Sequence, residues 1–159
     1  MDTLTHAMAG LLVGSVAATR KVKLAPVLVT GVLAGAMLDA DAVLYLINIA
    51  LYFQYHRLFT HSLLFAPGYA ALAALPAWVW VRRSYLYFYL IALIAILVHL
   101  ALDLPCAYHL YLLYPLSRKN FSLEYIPYTS RAVLMTVTVL SLVILYLRQN
   151  QLKNPSKEN

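Results

Sequence analysis

Seven ionisable side chains of this chain, His6, Asp39, Asp41, His56, His61, His99 and Asp103, lie in or beside long apolar segments, and five of its six carboxylates precede the polar C-terminal tail. Hydrocarbon makes such groups costly, so in a membrane protein they face a bundle interior or a polar cavity. A chain of this kind must therefore gather them. If its apolar segments alternate in direction across a bilayer, all seven fall near one face.

Composition selects the membrane as solvent. With 63% hydrophobic and 11% charged residues, the chain exceeds the roughly 45–50% apolar share of ordinary globular proteins. At 159 residues it reads as one all-α, polytopic helix bundle over residues 1–147, followed by a soluble, disordered cytoplasmic tail at 148–159. The net charge of +6 comes from twelve Lys and Arg residues placed mostly in short loops and at the end. That is topology information rather than a nucleic-acid face, which would need a basic stripe. Cys106 is the only cysteine, so an intrachain disulfide and a CxxC metal knuckle are both excluded. The N-terminus has no removable signal pattern, and the spans themselves are expected to direct insertion.

Five apolar segments are expected. The first, residues 4–18, ends at Arg20, Lys21 and Lys23 and is short against the ~20 residues a bilayer core needs. Residues 24–53 are nearly continuous, yet thirty helical residues would reach about 45 Å, so a break is expected at Asp39 and Asp41, with the following run returning along the interface toward His56. Residues 59–81 form the third segment, with Thr60 as its expected N-cap, and close at Arg82 and Arg83. Residues 85–104 form the fourth and are stopped by Pro105. The tyrosine-rich stretch 105–130 reads as an interfacial loop or short surface helices, and 132–147 as the last span.

Arg20, Lys21, Lys23, Arg82, Arg83, Arg148, Lys153 and Lys157 fall on one side of such a bundle, eight cations against four (Arg57, Arg118, Lys119 and Arg131) on the other. The positive-inside rule then places the N-terminus outside and the C-terminus in the cytoplasm. Depth gives the same convergence in either orientation. Asp39 lies about 22 Å beyond the start of its segment and His99 about 21 Å beyond its own, while His6 and His61 lie near the opposite starts.

Their chemistry suits a metal. His99 and Asp103 are four apart and share a helical face, as Asp2 and His6 do. Imidazole with carboxylate favours Zn²⁺, Mn²⁺ or Fe²⁺ over Ca²⁺. Seven candidates, His6, Asp39, Asp41, His56, His61, His99 and Asp103, oversupply one tetrahedral ion, so either two ions bind or some of the seven support the others. Arg57 is placed to hold an anionic oxygen. Blander readings exist for each: a helix cap at Asp39 and Asp41, an interfacial His6, a packing pair at His99 and Asp103. His109 and the tyrosines suit the interface, and Gly31 and Gly35 suit close helix packing.

HRLFTHS at residues 56–62, LDAD around Asp39 and Asp41, HLALD ending at Asp103, and YPLSRKNFS from Tyr114 to Ser122 together resemble the YdjM-like membrane-bound metal-dependent hydrolases. The likeness covers roughly residues 1–125. It departs from the family pattern at Leu38, Leu58, Cys106 and His109. The resemblance implies a LexA-regulated inner-membrane protein of bacterial or phage-like setting, with Asp39, Asp41, His56, His61, His99 and Asp103 matching the family's polar signature. The expected function is a metal-dependent hydrolase, with Zn or Mn as cofactor. Its substrate would be lipid-like or phosphorylated and enter from the interface, with Asp39 or Asp103 as base and Arg57 orienting the substrate. Membrane lipid is the expected partner and nucleic acid is not. The rival expectations are an ion-coupled transporter and a non-catalytic scaffold.

Overall fold

The computed structural model describes residues 1–82, 84–106, 109–127 and 129–154, with Phe53 and Gln54 described in backbone only. Arg83 and Lys157, both counted above as topology markers, lie outside the described residues, as does the rest of 155–159. Among the described residues the chain is helical without strands: α1 (Thr3–Ala17), α2 (Leu24–Met37), a 3₁₀ turn (Leu38–Ala42), α3 (Val43–Ile47), α4 (Ile49–Tyr55), α5 (Ala66–Val81), α6 (Tyr85–Asp103) and α7 (Arg131–Lys153). Among the described residues, three stretches are long and apolar enough to cross a membrane, Leu24–Ile47, Tyr85–Asp103 and Arg131–Lys153, while Thr3–Ala17 and Ala66–Val81 are shorter apolar helices.

Local chemistry explains most boundaries. Asp2 caps α1, accepting from the Thr5 backbone N–H at 2.9 Å and from the Thr5 hydroxyl at 2.8 Å. This is a different job from the metal-facing partnership with His6 that their spacing suggested. Pro67 lies in the first turn of α5, where its missing N–H has no helical partner to lose. The break expected at Asp39 and Asp41 is the 3₁₀ turn. A second break follows at Asn48, whose side chain accepts from the backbone N–H groups of Ala50 and Leu51 and starts α4.

One expected segment changes. The third apolar stretch does not become helical at Phe59; α5 begins at Ala66 with Phe65 at its N-cap position. Thr60 is therefore not a helix cap, and His61 lies in a turn rather than in a first helical turn. His56 likewise sits just past the end of α4. The reason is long-range: Thr60 and the backbone N–H of Arg57 bond to Asp41, so residues 56–61 are drawn to the 3₁₀ turn before a helix can start.

The bundle centre is made of small residues. Gly10 and Gly14 of α1 meet Gly31 and Gly35 of α2 so closely that a Cβ on Gly10 would lie 2.0 Å from the Gly31 carbonyl oxygen, and one on Gly35 2.3 Å from the His6 carbonyl oxygen. Such seams let backbones approach where lipid offers no hydrophobic drive. Ala34, Ala66, Ala70, Ala73, Ala92 and Ala95 continue this packing among α2, α5 and α6 around Leu38, Ile96 and Leu100. α7 docks only on the outside. Its Ser141 hydroxyl reaches the Met8 carbonyl of α1 at 2.7 Å, and its other faces stay exposed at Met135, Val139, Leu142 and Tyr146. α7 runs without a break through Arg148 to Lys153.

Candidate metal centre

The close α1–α2 seam has a consequence at its end. It brings His6 on α1 beside the last turn of α6, where His99 and Asp103 sit one turn apart. The 3₁₀ turn adds Asp39, and the turn before α5 adds His61. His6, Asp39, His61, His99 and Asp103 are all buried.

Hydrogen bonding fixes how the imidazoles face. The His99 Nδ1–H donates to the Gly35 carbonyl oxygen at 2.7 Å, since a carbonyl can only accept. The Thr60 hydroxyl donates to Asp41 Oδ2 at 3.0 Å. Its one proton is thus committed, so its 2.8 Å contact with His61 Nδ1 must be donated by the ring. In their neutral forms both rings turn a bare Nε2 lone pair inward. Those two nitrogens lie 3.1 Å apart and, as two acceptors, cannot bond one another.

The carboxylates face the same point. His61 Nε2 is 3.5 Å from Asp39 Oδ1 and 3.3 Å from Asp103 Oδ2, and His99 Nε2 is 3.7 Å from each of the same two oxygens. Asp39 Oδ1, Asp39 Oδ2 and Asp103 Oδ2 are buried with no hydrogen-bond donor among the described residues. Buried carboxylate oxygens without partners are strongly unfavourable unless a cation meets them. The five separations, 3.1 to 3.7 Å, bracket the roughly 3.3–3.4 Å edge of a tetrahedron whose corners lie about 2.0–2.1 Å from its centre, the spacing of N and O donors around Zn²⁺. The donor set therefore fits a first-row divalent ion.

The other candidates stand around this point. His6 stacks on His99 with ring centres 3.5 Å apart and directs Nε2 to Asp103 Oδ1 at 3.2 Å. Arg57, fully buried, donates from Nη2 to the same oxygen at 3.1 Å, and the Met1 amino group also contacts it. Donor atoms of His6, Asp39 and His99, and of His61, His99 and Asp103, form two overlapping groups, each within 4.8 Å. Asp41 and His56 belong to neither group. Asp41 accepts from His56 Nδ1 at 2.9 Å as well as from Thr60, making a lateral pair beside the cluster. His109 is exposed.

Burial alone would push the His61 imidazole down, but the Asp103 and Asp39 carboxylates outweigh it and hold the group above its ordinary value.

Two partners were invisible to motif reading. The Gly35 carbonyl is a backbone group, and the spacing of Gly31 and Gly35 points only to packing. Thr60 lies between two motif histidines, where its position suggests a helix cap. The long connection after α6 also closes over this end: the Leu63 N–H donates to the Leu112 carbonyl, and Asn120 Oδ1 accepts from the Leu110 and Ser122 N–H groups. The Ser62 hydroxyl donates to the Tyr114 carbonyl, which places the start of the YPLSRKNFS motif against the turn that holds His61.

An all-helical membrane protein with a buried His and Asp cluster at one end of its bundle is thus the class that fold and site define. The chain matches the family described as YdjM inner membrane protein over residues 1–156, and it belongs to that family. It is also 31% identical over 128 residues to the Bacillus subtilis (strain 168) protein described as "Uncharacterized protein YfhP", a match covering 75% of this chain and 38% of that protein. No solved structure matches it.

Proposed function

We propose that this chain is a membrane-embedded, metal-dependent hydrolase whose ion is held by Asp39, His61, His99 and Asp103. One observation carries the reading: two inward Nε2 lone pairs and two buried carboxylate oxygens without donors, Asp39 Oδ1 and Asp103 Oδ2, converge on one point. Zn²⁺ or Mn²⁺ suits these donors. One ion is favoured over two, because His99 Nδ1 is committed to Gly35 and its single remaining lone pair cannot serve both overlapping groups.

When bound, the ion supplies Lewis acidity to an acyl or phosphoryl oxygen and lowers the pKa of water. The chain's own residues do the rest. His6 and Arg57 hold Asp103 in place, and Arg57 puts a buried positive charge where an anionic substrate oxygen would be stabilised. Asp39 turns Oδ1 to the cluster, and its Oδ2, which has no donor among the described residues, is the carboxylate oxygen best placed to accept a proton as general base.

A lipid-like or phosphorylated substrate is supported by what adjoins the cluster. α3 and α4 form an apolar arm leaving the site at Asp41 and returning at His56, with Leu46 83% and Ile47 72% exposed. An acyl chain lying along that arm would bring its polar head to the cluster. By the positive-inside rule the site faces the outer leaflet, with the N-terminus outside and the C-terminus cytoplasmic.

Elemental analysis of detergent-purified protein tests the metal, and release of inorganic phosphate from a long-chain lipid phosphate in mixed micelles tests the reaction. About one Zn or Mn per chain is expected, lost in His61→Ala together with turnover. Metal-free active-fold protein would overturn the proposal. A second reading rests on the donor count: four protein donors can close a tetrahedral ion, as in structural sites. Stoichiometric metal, with stability but no hydrolysis depending on His61, would select it.

A further inference from the structure

The lateral pair beside the cluster has its own wiring. Asp41 is a half-buried carboxylate with three donors: His56 Nδ1 at 2.9 Å on Oδ1, and the Thr60 hydroxyl at 3.0 Å and the Arg57 backbone N–H at 3.4 Å on Oδ2. Thr60 in turn accepts from His61 Nδ1. We infer that Asp41 and Thr60 are positioning residues that act through His61: a carboxylate–hydroxyl–imidazole relay which locks the His61 ring in its Nδ1–H tautomer and aims Nε2 at the cluster.

The polarity of the relay is forced. A carboxylate accepts only, so the hydroxyl proton points at Asp41, leaving the Thr60 oxygen as an acceptor and the ring as the donor. An imidazole that donates through one nitrogen to an anion-backed acceptor is more basic and less free to rotate at the other. The same relay explains why residues 56–61 form turns. Arg57 has a left-handed backbone, φ 65°, which costs a non-glycine residue about 1 kcal/mol or more, and its N–H is held by the carboxylate that holds Thr60. His99 needs no such side-chain relay, because the Gly35 carbonyl performs that task. The two inward-facing histidines are thus set by different means, one by backbone on a rigid helix and one by side chains in a turn.

This inference rests on the proposed metal centre, and the experiment separates the two. Thr60→Val keeps the side-chain shape and removes the relay; Thr60→Ser keeps the hydroxyl. In Zn²⁺ titrations of chelator-stripped, detergent-purified protein, Thr60→Val should weaken binding about 10- to 100-fold, and Thr60→Ser should restore it. At a pH high enough for the His61 ring to be neutral, its ¹⁵N shifts in stripped parent protein should report the Nδ1–H tautomer, and those of Thr60→Val a mixture of tautomers. Equal Zn²⁺ affinity in parent and Thr60→Val, or an Nε2–H tautomer in the parent, overturns the relay. Parent protein that binds no Zn²⁺ overturns the metal centre instead, and the ring shifts still decide the relay.

Discussion

The two ends of this bundle handle charge in opposite ways. At one end His6, Asp39, Arg57, His61, His99 and Asp103 are buried, with Asp103 held by His6 and Arg57 and the His61 and His99 rings by Thr60 and the Gly35 carbonyl. At the other, Arg20, Lys21, Lys23 and Arg148 remain in contact with solvent, and the arginines spend their donors on helix ends. Arg20 bonds the Gln151 carbonyl at 2.9 Å and Arg148 the Val16 carbonyl at 3.0 Å. Capping a C-terminal carbonyl with a cation is a modest, screened stabilisation. Burying a carboxylate among histidines is a commitment that fails badly when one partner is lost.

Substitutions should separate the ends by size of effect. Asp103→Ala removes the carboxylate that His6 and Arg57 share and should destabilise the protein by about 3–5 kcal/mol, read as a loss of thermal stability in detergent; a near-neutral result would erase the contrast between the ends. Gly10→Ala and Gly35→Ala come next. Each forces a Cβ to within 2.0–2.3 Å of a backbone oxygen, so the helices must separate, at about 1–3 kcal/mol. Gly35→Ala should also weaken Zn²⁺ binding by shifting the His99 acceptor, whereas Gly14→Ala, with its nearest approach at 2.9 Å and far from the cluster, should cost stability alone. Ser141→Ala should cost about 0.5–1.5 kcal/mol, visible as earlier release of α7 in hydrogen exchange. Lys153→Gln at the basic end should stay within about 0.5 kcal/mol. A loss there as large as that from Asp103→Ala would show that the basic end is also a tightly wired site.

The same division separates what could be read along the chain from what could not. The apolar segments, the break at Asp39 and the glycines of α2 were legible because each is a local pattern: length against bilayer thickness, a carboxylate pair in an apolar run, small residues one turn apart. The start of α5 was not. Residues 59–65 are as apolar as a helix requires, but Asp41, nineteen residues before Thr60, competes for that segment's polar groups. Thr60 caps no helix for the same reason, since the identity of a hydroxyl's partner is not encoded in its neighbours.

By itself, the sequence determined that this chain is a membrane-embedded helix bundle and that His6, Asp39, His61, His99 and Asp103 should approach one another, because hydrophobic length and helical rise are additive along a chain. Only the tertiary structure decided which of them meet. Asp39 turns to His61 and His99 while Asp41, two residues on, turns to His56 and Thr60. Hydrogen-bond direction and the close α1–α2 seam select those partners, and both depend on contacts between segments that are distant in the chain.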